Sequence, residues 1–330
     1  MDEERADQAP GRSCPLHYRY RPEVFASAAA PALQELEVLY VVGGLYGNAA
    51  ALDTVLALYE AEHGRKRLVF NGDFHWFDAD AATFSSVQQA VMAHTALRGN
   101  VETELSRPPD ATEAATDTGC GCAYPSWVGD EVVHRSNRIL QRLRCVVTPA
   151  QRAELAALPM WLRADVGGLR LGLVHGDAQS LAGWGFAQEH LRDAAHRAEV
   201  LKWFEAAQVH AFASSHTCLP VFQALAARST QRRWVYNNGA AGMPNFEADA
   251  AGLFTRIALQ PYAGPQRRFG VQQQGVFVDA VALHTSFSEA QRRFLALWPA
   301  GSDAHTSYFE RISAGPSYQV ADAVRSDDVF

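Results

Sequence analysis

The first sustained apolar run, LEVLYVVGG (36–44), is short, rich in valine and closed by two glycines, the pattern of a buried strand. Leu52, Val55, Leu56 and Tyr59 follow at i, i+3, i+4 and i+7, one face of an amphipathic helix. RLVF (67–70) is a second buried strand running straight into Asn71-Gly72-Asp73. Strand, glycine turn, helix, strand is the rhythm of an α/β protein that keeps its chemistry at strand ends.

Further along, residues 84–98 pattern as a helix, and SRPPDATEAATDTGCGCAYP (106–125) as a long loop or insertion. Residues 131–143 and 149–158 pattern as two more helices, and LRLGLVHGD (169–177) as a strand ending in a polar turn. A long helix over 188–206 puts Leu191, Ala194, Ala195, Ala198 and Leu201 on one face. Strands then crowd together in VHAFASSH (209–216), LPVFQAL (219–225), RRWVYNNG (232–239) and GLFTRIALQ (252–260), which predicts a second sheet drawn largely from the C-terminal half. A helix, SEAQRRFLALW (288–298), opens the tail. The expected organisation is a polar leader over 1–35, a main domain over 36–285 with an insertion around 106–148, and a C-terminal helix and tail over 286–330 packed on that domain.

Composition changes this picture little. The chain of 330 residues is 48% hydrophobic and 20% charged, ordinary for a globular protein with a sizeable core. A net charge of -7 gives no long-range attraction to a polyphosphate backbone, so nucleic acid is not an expected partner. The polar, acidic N-terminus does not read as a secretory signal, and no apolar run reaches the roughly 18–20 residues of a membrane span. Five scattered cysteines (Cys14, Cys120, Cys122, Cys145, Cys218) argue against a disulfide framework, so the expected location is the cytoplasm.

The chemistry concentrates in four places where a strand runs into a small-residue turn bearing Asp, Asn or His. They are Asn71-Gly72-Asp73, Gly99-Asn100, His175-Gly176-Asp177 and Ser215-His216-Thr217. Divalent metals take carboxylate and amide oxygens and imidazole nitrogens converging from several strand ends. In order and spacing these turns resemble the motifs of the calcineurin-like metallophosphoesterases over roughly residues 36–260. The first motif of that family, Asp-x-His-Gly-Asn, is matched by Gly44-Leu45-Tyr46-Gly47-Asn48, which keeps only Gly-Asn. The later motifs are matched by Gly72-Asp73, by Gly99-Asn100-Val101-Glu102, by His175-Gly176 and by Ser215-His216-Thr217-Cys218, and an Asn-rich turn by NNGAAGMPNF (237–246).

The resemblance implies a four-layer α/β/β/α sandwich and a metal-dependent phosphoesterase acting on a small-molecule phosphoester through a metal-activated water. It implies one or two divalent metals (Mn, Zn, Fe or Mg). One metal position is complete in Asp73, Asn100, His175 and His216, whereas the other has Gly44, Tyr46 and Cys218 where the family has Asp, His and His. Cys218 is itself a competent soft ligand. Tyr46 and His75 are the candidate catalytic groups, because Val101 replaces the residue that normally supplies the general acid. Asn48 and Asn238 are candidates for substrate binding, Asp177 and Glu102 for orienting ligands.

Each assignment has a plainer reading beside it. Asp73 and Asp177 also suit turn or loop caps, Asn100 a left-handed turn, and His75, among Phe74, Trp76 and Phe77, a packing role. Cys120 and Cys122 are too close for a zinc-knuckle spacing and read as a loop feature unless the insertion folds over the metal centre. Two further functions stay open: a phosphoesterase-like scaffold that binds without turnover, suggested by Gly44 and Tyr46, and a thiol redox protein using Cys120, Cys122 and Cys218. The oligomeric state is not legible.

Overall fold

The computed structural model describes residues 10–12, 14–27, 32–107, 119–226 and 232–325; parts of the leader, insertion and tail (1–9, 28–31, 108–118, 326–330) lie outside them. Two sheets stack face to face. One has the order β11-β12-β10-β2-β3-β4, from Arg267–Gln273, Val276–Leu283, Gly252–Ala258, Val38–Val42, Lys66–Asn71 and Thr95–Leu97. The other has the order β1-β5-β6-β7-β9-β8-β13, from Ala32–Leu36, Trp161–Val166, Leu169–Val174, Ala211–Ser214, Arg233–Asn238, Pro220–Leu225 and Val324–Arg325.

The alternation along β2 builds the layers. Leu39 and Val41 point between the sheets, where they meet Leu171, Leu173, Ala213 and Tyr236 of the partner sheet. Val38, Tyr40 and Val42 point outward under α1 (Ala49–Ala61) and α2 (Ala81–Met92). On the far side, α6 (Ala194–Ala207) covers the second sheet through Val200, Trp203 and Phe204. Helix, sheet, sheet, helix is the four-layer sandwich, and each fully buried aliphatic side chain in it contributes about 1.5–3 kcal/mol.

Four segments differ from the sequence expectation, the first being the helix expected over 188–206, which begins at Ala194 and buries Val200, Trp203 and Phe204 while Ala194, Ala195 and Ala198 are exposed. The helix expected over 84–98 ends at Met92, and Thr95–Leu97 form a three-residue strand, too short to show a period. The second sheet is drawn largely from the C-terminal half, as β6, β7, β8, β9 and β13, but GLFTRIALQ forms β10, which with β11 and β12 joins β2, β3 and β4 instead. The stretch expected to be a polar leader is built into the body. Tyr18 and Phe25 are buried, and β1 pairs with β5 at a sheet edge.

The remaining helices are α3 (Asn100–Ser106), α4 (Asp130–Arg144), α5 (Pro149–Ala157), α7 (Phe287–Leu297), α8 (Asp303–Ala314) and α9 (Val320–Ala323). Thr148 caps α5 by accepting from Gln151 N, with proline at its first position. Arg138 of α4 pairs with Asp303 of α8, bringing the C-terminal segment alongside the insertion. No helix among the described residues is long and apolar enough to cross a membrane.

β2, β3 and β4 are parallel in one sheet, and β6, β7 and β9 in the other. Their carboxyl ends meet at one edge of the sandwich, and the polar turns leave from there.

Candidate metal centre

The turns after β3, β4 and β6 come into van der Waals contact. A Cβ on Gly72 (φ +78) would lie 2.6 Å from both Gly99 N and His175 Nδ1, and one on Gly99 would strike the Asp73 carboxylate. Only glycine lets these backbones approach so closely. Asp73, just past that contact, sits in the left-handed region at φ 53, where an L residue is strained.

Four acceptor groups converge there, each aimed by a hydrogen bond on its other side. His175 Nδ1 donates to the Asn71 carbonyl at 2.8 Å, so its Nε2 faces inward, 3.3 Å from Asp73 Oδ2 and 3.3 Å from Asn100 Oδ1. Asn100 Nδ2 donates to the Cys120 carbonyl at 2.9 Å, which turns Oδ1 to the centre. His216 Nε2 donates to the Cys122 carbonyl at 3.1 Å, leaving Nδ1 bare, 3.1 Å from His175 Nε2. Ligand atoms of Asp73, His175 and His216 all lie within 4.8 Å of one another. Two imidazole lone pairs facing each other need a cation between them, either a proton or a metal ion. The donor set of one carboxylate, one amide oxygen and two imidazoles, with tautomers fixed from outside, fits a divalent metal.

The electrostatics agree. Burial drives the His175 pKa down, but the Asp73 carboxylate and Asn71 carbonyl outweigh it and the net direction is up. Burial and the neighbouring His175 charge push His216 down to about 4. Burial also raises Asp73, yet the two imidazoles hold it below the ordinary carboxylate range. Positive charge is thus favoured at His175, beside Asp73, over His216.

Glu102 is fully buried and ties two of the turns together. Its Oε2 accepts from Asp73 N and Gly99 N, both at 2.8 Å, and Oε1 accepts from Phe74 N at 3.0 Å. Burial and the neighbouring Asp73 raise its pKa. Asp177 does something plainer: it accepts from Gln179 N, Ser180 N and Gly185 N, capping the loop after β6.

Solved structures share this architecture. A metallophosphoesterase from Sphaerobacter thermophilus matches with a TM-score of 0.50 and 13% identity, over 84% of this chain and 100% of that one. A hypothetical protein from Pyrococcus horikoshii OT3 matches with a TM-score of 0.55 and 13% identity, over 85% of this chain and 99% of that one. The chain has the metallophosphoesterase fold. No protein-family model and no curated protein matches it.

Within the metallophosphoesterase fold, the half of the site that departs from the expected motifs is filled rather than empty. A Cβ on Gly44 (φ +66) would stand 3.0 Å from Cε2, Cζ and Oη of Tyr46, so the phenol ring lies over the place where a larger side chain at 44 would start. Tyr46 Oη lies 2.8 Å from Cys218 Sγ. Both residues have left-handed backbones, at φ 55 and 62. Burial, then the neighbouring Cys218 and Asp73, push the Tyr46 pKa well up, so the phenol keeps its proton. Burial likewise raises Cys218, whose sulfur is not among the clustered ligand atoms.

Three other candidates are occupied elsewhere. The His75 ring is fully buried, stacks on Phe84 with centroids 3.7 Å apart, and has Nδ1 2.5 Å from Asp78 Oδ2. It does not line the cavity beside the metal centre, because the turn at Asp73 sends it under α2. Asn48 caps α1 by accepting from Ala51 N, and its amide donates to the Gly242 carbonyl. Asn238 Nδ2 donates to the carbonyls of Gly43 and Leu253, stitching the sheets together. None of the three lines the cavity beside the metal centre.

The cavity over the centre holds about 60 Å³. Asp73, Asn100 and His216 form its floor, and Tyr46, Trp76, Tyr124, Trp184 and Tyr308 much of its wall. No lysine or arginine is among the described residues lining it. The insertion does fold over the centre: the carbonyls of Cys120 and Cys122 hold Asn100 and His216, and Cys122 Sγ also accepts from Asn100 Nδ2 at 3.4 Å. Trp184 Nε1 donates to the same Cys122 carbonyl at 2.9 Å. Trp184, Tyr124 and Tyr308 were not singled out from the sequence, and only their aromatic character marked them.

Proposed function

We propose that this protein is a phosphoesterase working with a single divalent metal held by Asp73, Asn100, His175 and His216. The observation that carries the reading is the convergence of their acceptor atoms with every outward-facing atom already hydrogen-bonded. Such an ion supplies a polarised phosphoryl oxygen and a water acidified enough to attack phosphorus near neutral pH. The chain supplies the rest. The carbonyls of Asn71, Cys120 and Cys122 orient the acceptor groups, and the aromatic wall excludes bulk water. Tyr46, protonated and lining the cavity, donates a hydrogen bond to a phosphoryl oxygen or a proton to the departing alkoxide. The substrate is a small-molecule phosphoester, since only a phosphoryl-sized group enters so narrow a cavity.

The test combines elemental analysis of protein purified without added metal with hydrolysis of bis(4-nitrophenyl) phosphate and 4-nitrophenyl phosphate under Mn, Zn or Fe. About one metal per chain is expected, with both metal and turnover lost in His175→Ala. Silence across metals and both esters would overturn the catalytic part of the reading. A chain that binds the metal yet turns over neither ester is the second reading, a binding scaffold. It is favoured by the phenol ring covering Gly44, which removes room for a second ion.

A further inference from the structure

Trp127 is 57% exposed, although exposing so large an apolar surface is unfavourable. It is not loose. Its ring meets His190 edge-on with centroids 4.8 Å apart and Trp184 edge-on at 6.5 Å. Trp184 in turn lies edge-on to His216 at 5.5 Å and reaches from the cavity wall to the surface. A continuous row of rings therefore runs from a metal-centre imidazole out to an exposed indole.

The cavity volume says what lies along this row. About 60 Å³ admits a phosphoryl group, and is far below the roughly 300 Å³ at which a pocket encloses a whole small-molecule ligand. The alcohol part of any ester must therefore rest at the mouth. No lysine or arginine is among the described residues lining the cavity, and aromatic rings border it.

Resting on the phosphoesterase reading for the phosphoryl end, we propose that Trp127, held by Trp184 and His190, is a stacking platform for the alcohol part of the substrate. The substrate class is a phosphoester of a flat aromatic group, an aryl alcohol or a nucleoside. An indole face stacks on any flat ring with little dependence on its substituents, so the platform selects for flatness first.

Calorimetric titration of metal-loaded protein with phenyl phosphate, adenosine 5′-phosphate and glycerol 1-phosphate tests this without needing turnover. Wild type is expected to prefer each aromatic ester to the glycerol ester by on the order of tenfold. The ratio should collapse toward one in Trp127→Ala and be largely kept in Trp127→Phe. Comparing phenyl with adenosyl esters separates an aryl from a nucleoside substrate. Equal affinities in wild type, a ratio untouched by Trp127→Ala, or no binding of any of the three would overturn the platform.

A second arm separates this failure from failure of the metal reading. Adenosine, which has no phosphate, should shift the Trp127 resonance in ¹⁹F spectra of 5-fluorotryptophan-labelled protein, assigned by Trp127→Phe. A shift together with absent hydrolysis keeps the platform and removes the phosphoesterase. Hydrolysis with no aromatic preference and no shift does the reverse.

Discussion

The backbone N–H of Asp73 donates to Glu102 Oε2 at 2.8 Å, and the same oxygen takes the N–H of Gly99. One carboxylate thus ties the turn carrying Asp73 to the turn carrying Asn100, although 29 residues separate the first pair.

Glu102→Gln keeps the size and removes one acceptor oxygen. An amide NH₂ must then face a backbone N–H in a dry interior, leaving a buried donor unpaired at about 1–3 kcal/mol. The variant should lose that much stability in urea unfolding. It should also bind its metal about 10–100-fold more weakly, as when a ligand's supporting partner is removed. Stability lost with metal affinity unchanged would mean that Glu102 supports the fold alone.

The relation of Gly44 to Tyr46 makes a second prediction. Gly44→Asp adds left-handed strain and a clash with the phenol, together about 1–3 kcal/mol. Tyr46→His shortens the ring, so the pair should cost about 1 kcal/mol less than the sum of the singles. Additive costs in a double-mutant cycle would show that the phenol does not occupy that space.

Much of the candidate site stands where the sequence marks strand ends, an apolar run stopping abruptly in Gly-Asp, Gly-Asn or His-Gly, and the structure brings Asp73, His175 and His216 together there. What was not readable is direction. His75 lies two residues from Asp73, yet the left-handed turn at Asp73 sends its ring under α2 against Phe84. The Cys120 and Cys122 contribution was hidden for another reason: their carbonyls hold the ligands, and every residue has a carbonyl. β12 reads in the sequence as a nearly continuous apolar run broken only by Asp279, with Val276, Val278, Ala280 and Ala282 facing between the sheets. Trp184 and Tyr308 reach the cavity only through tertiary folding, from a loop and from α8 in the tail.

Away from the site, Arg256 on β10 is buried and pairs with Glu62 just past α1 at 2.8 Å, with Tyr40 also donating to Glu62. Burial raises the Glu62 pKa, but these hydrogen bonds and the guanidinium charge outweigh it and the net direction is down. A depressed carboxylate contributes stability that is full above its unfolded value of about 4.3 and is lost as pH falls through the folded value. Glu62→Gln should therefore be less stable than wild type at neutral pH, and the difference should shrink as the pH falls below about 4. Urea midpoints at three pH values check it. A gap that widens on acidification would contradict the sign.

Arg12 joins the N-terminal segment to the insertion over the metal centre. Its guanidinium donates to the carbonyls of Pro125 at 3.0 Å and Val128 at 2.6 Å, and pairs with Asp130. Asp130 is exposed, so the two carbonyl bonds carry the effect. They are charge-assisted and partly buried, together worth about 1–3 kcal/mol. Arg12→Ala should loosen the stretch on either side of Trp127 without disturbing the sheets. Amide hydrogen exchange should quicken by roughly tenfold or more across 119–129 and stay unchanged in β2, β3 and β6. Because the Cys122 carbonyl lies in the loosened stretch and holds His216, metal should also dissociate faster from this variant than from wild type. Faster exchange with metal release unchanged would show that Trp184, which also donates to Cys122, suffices to hold the carbonyl in place.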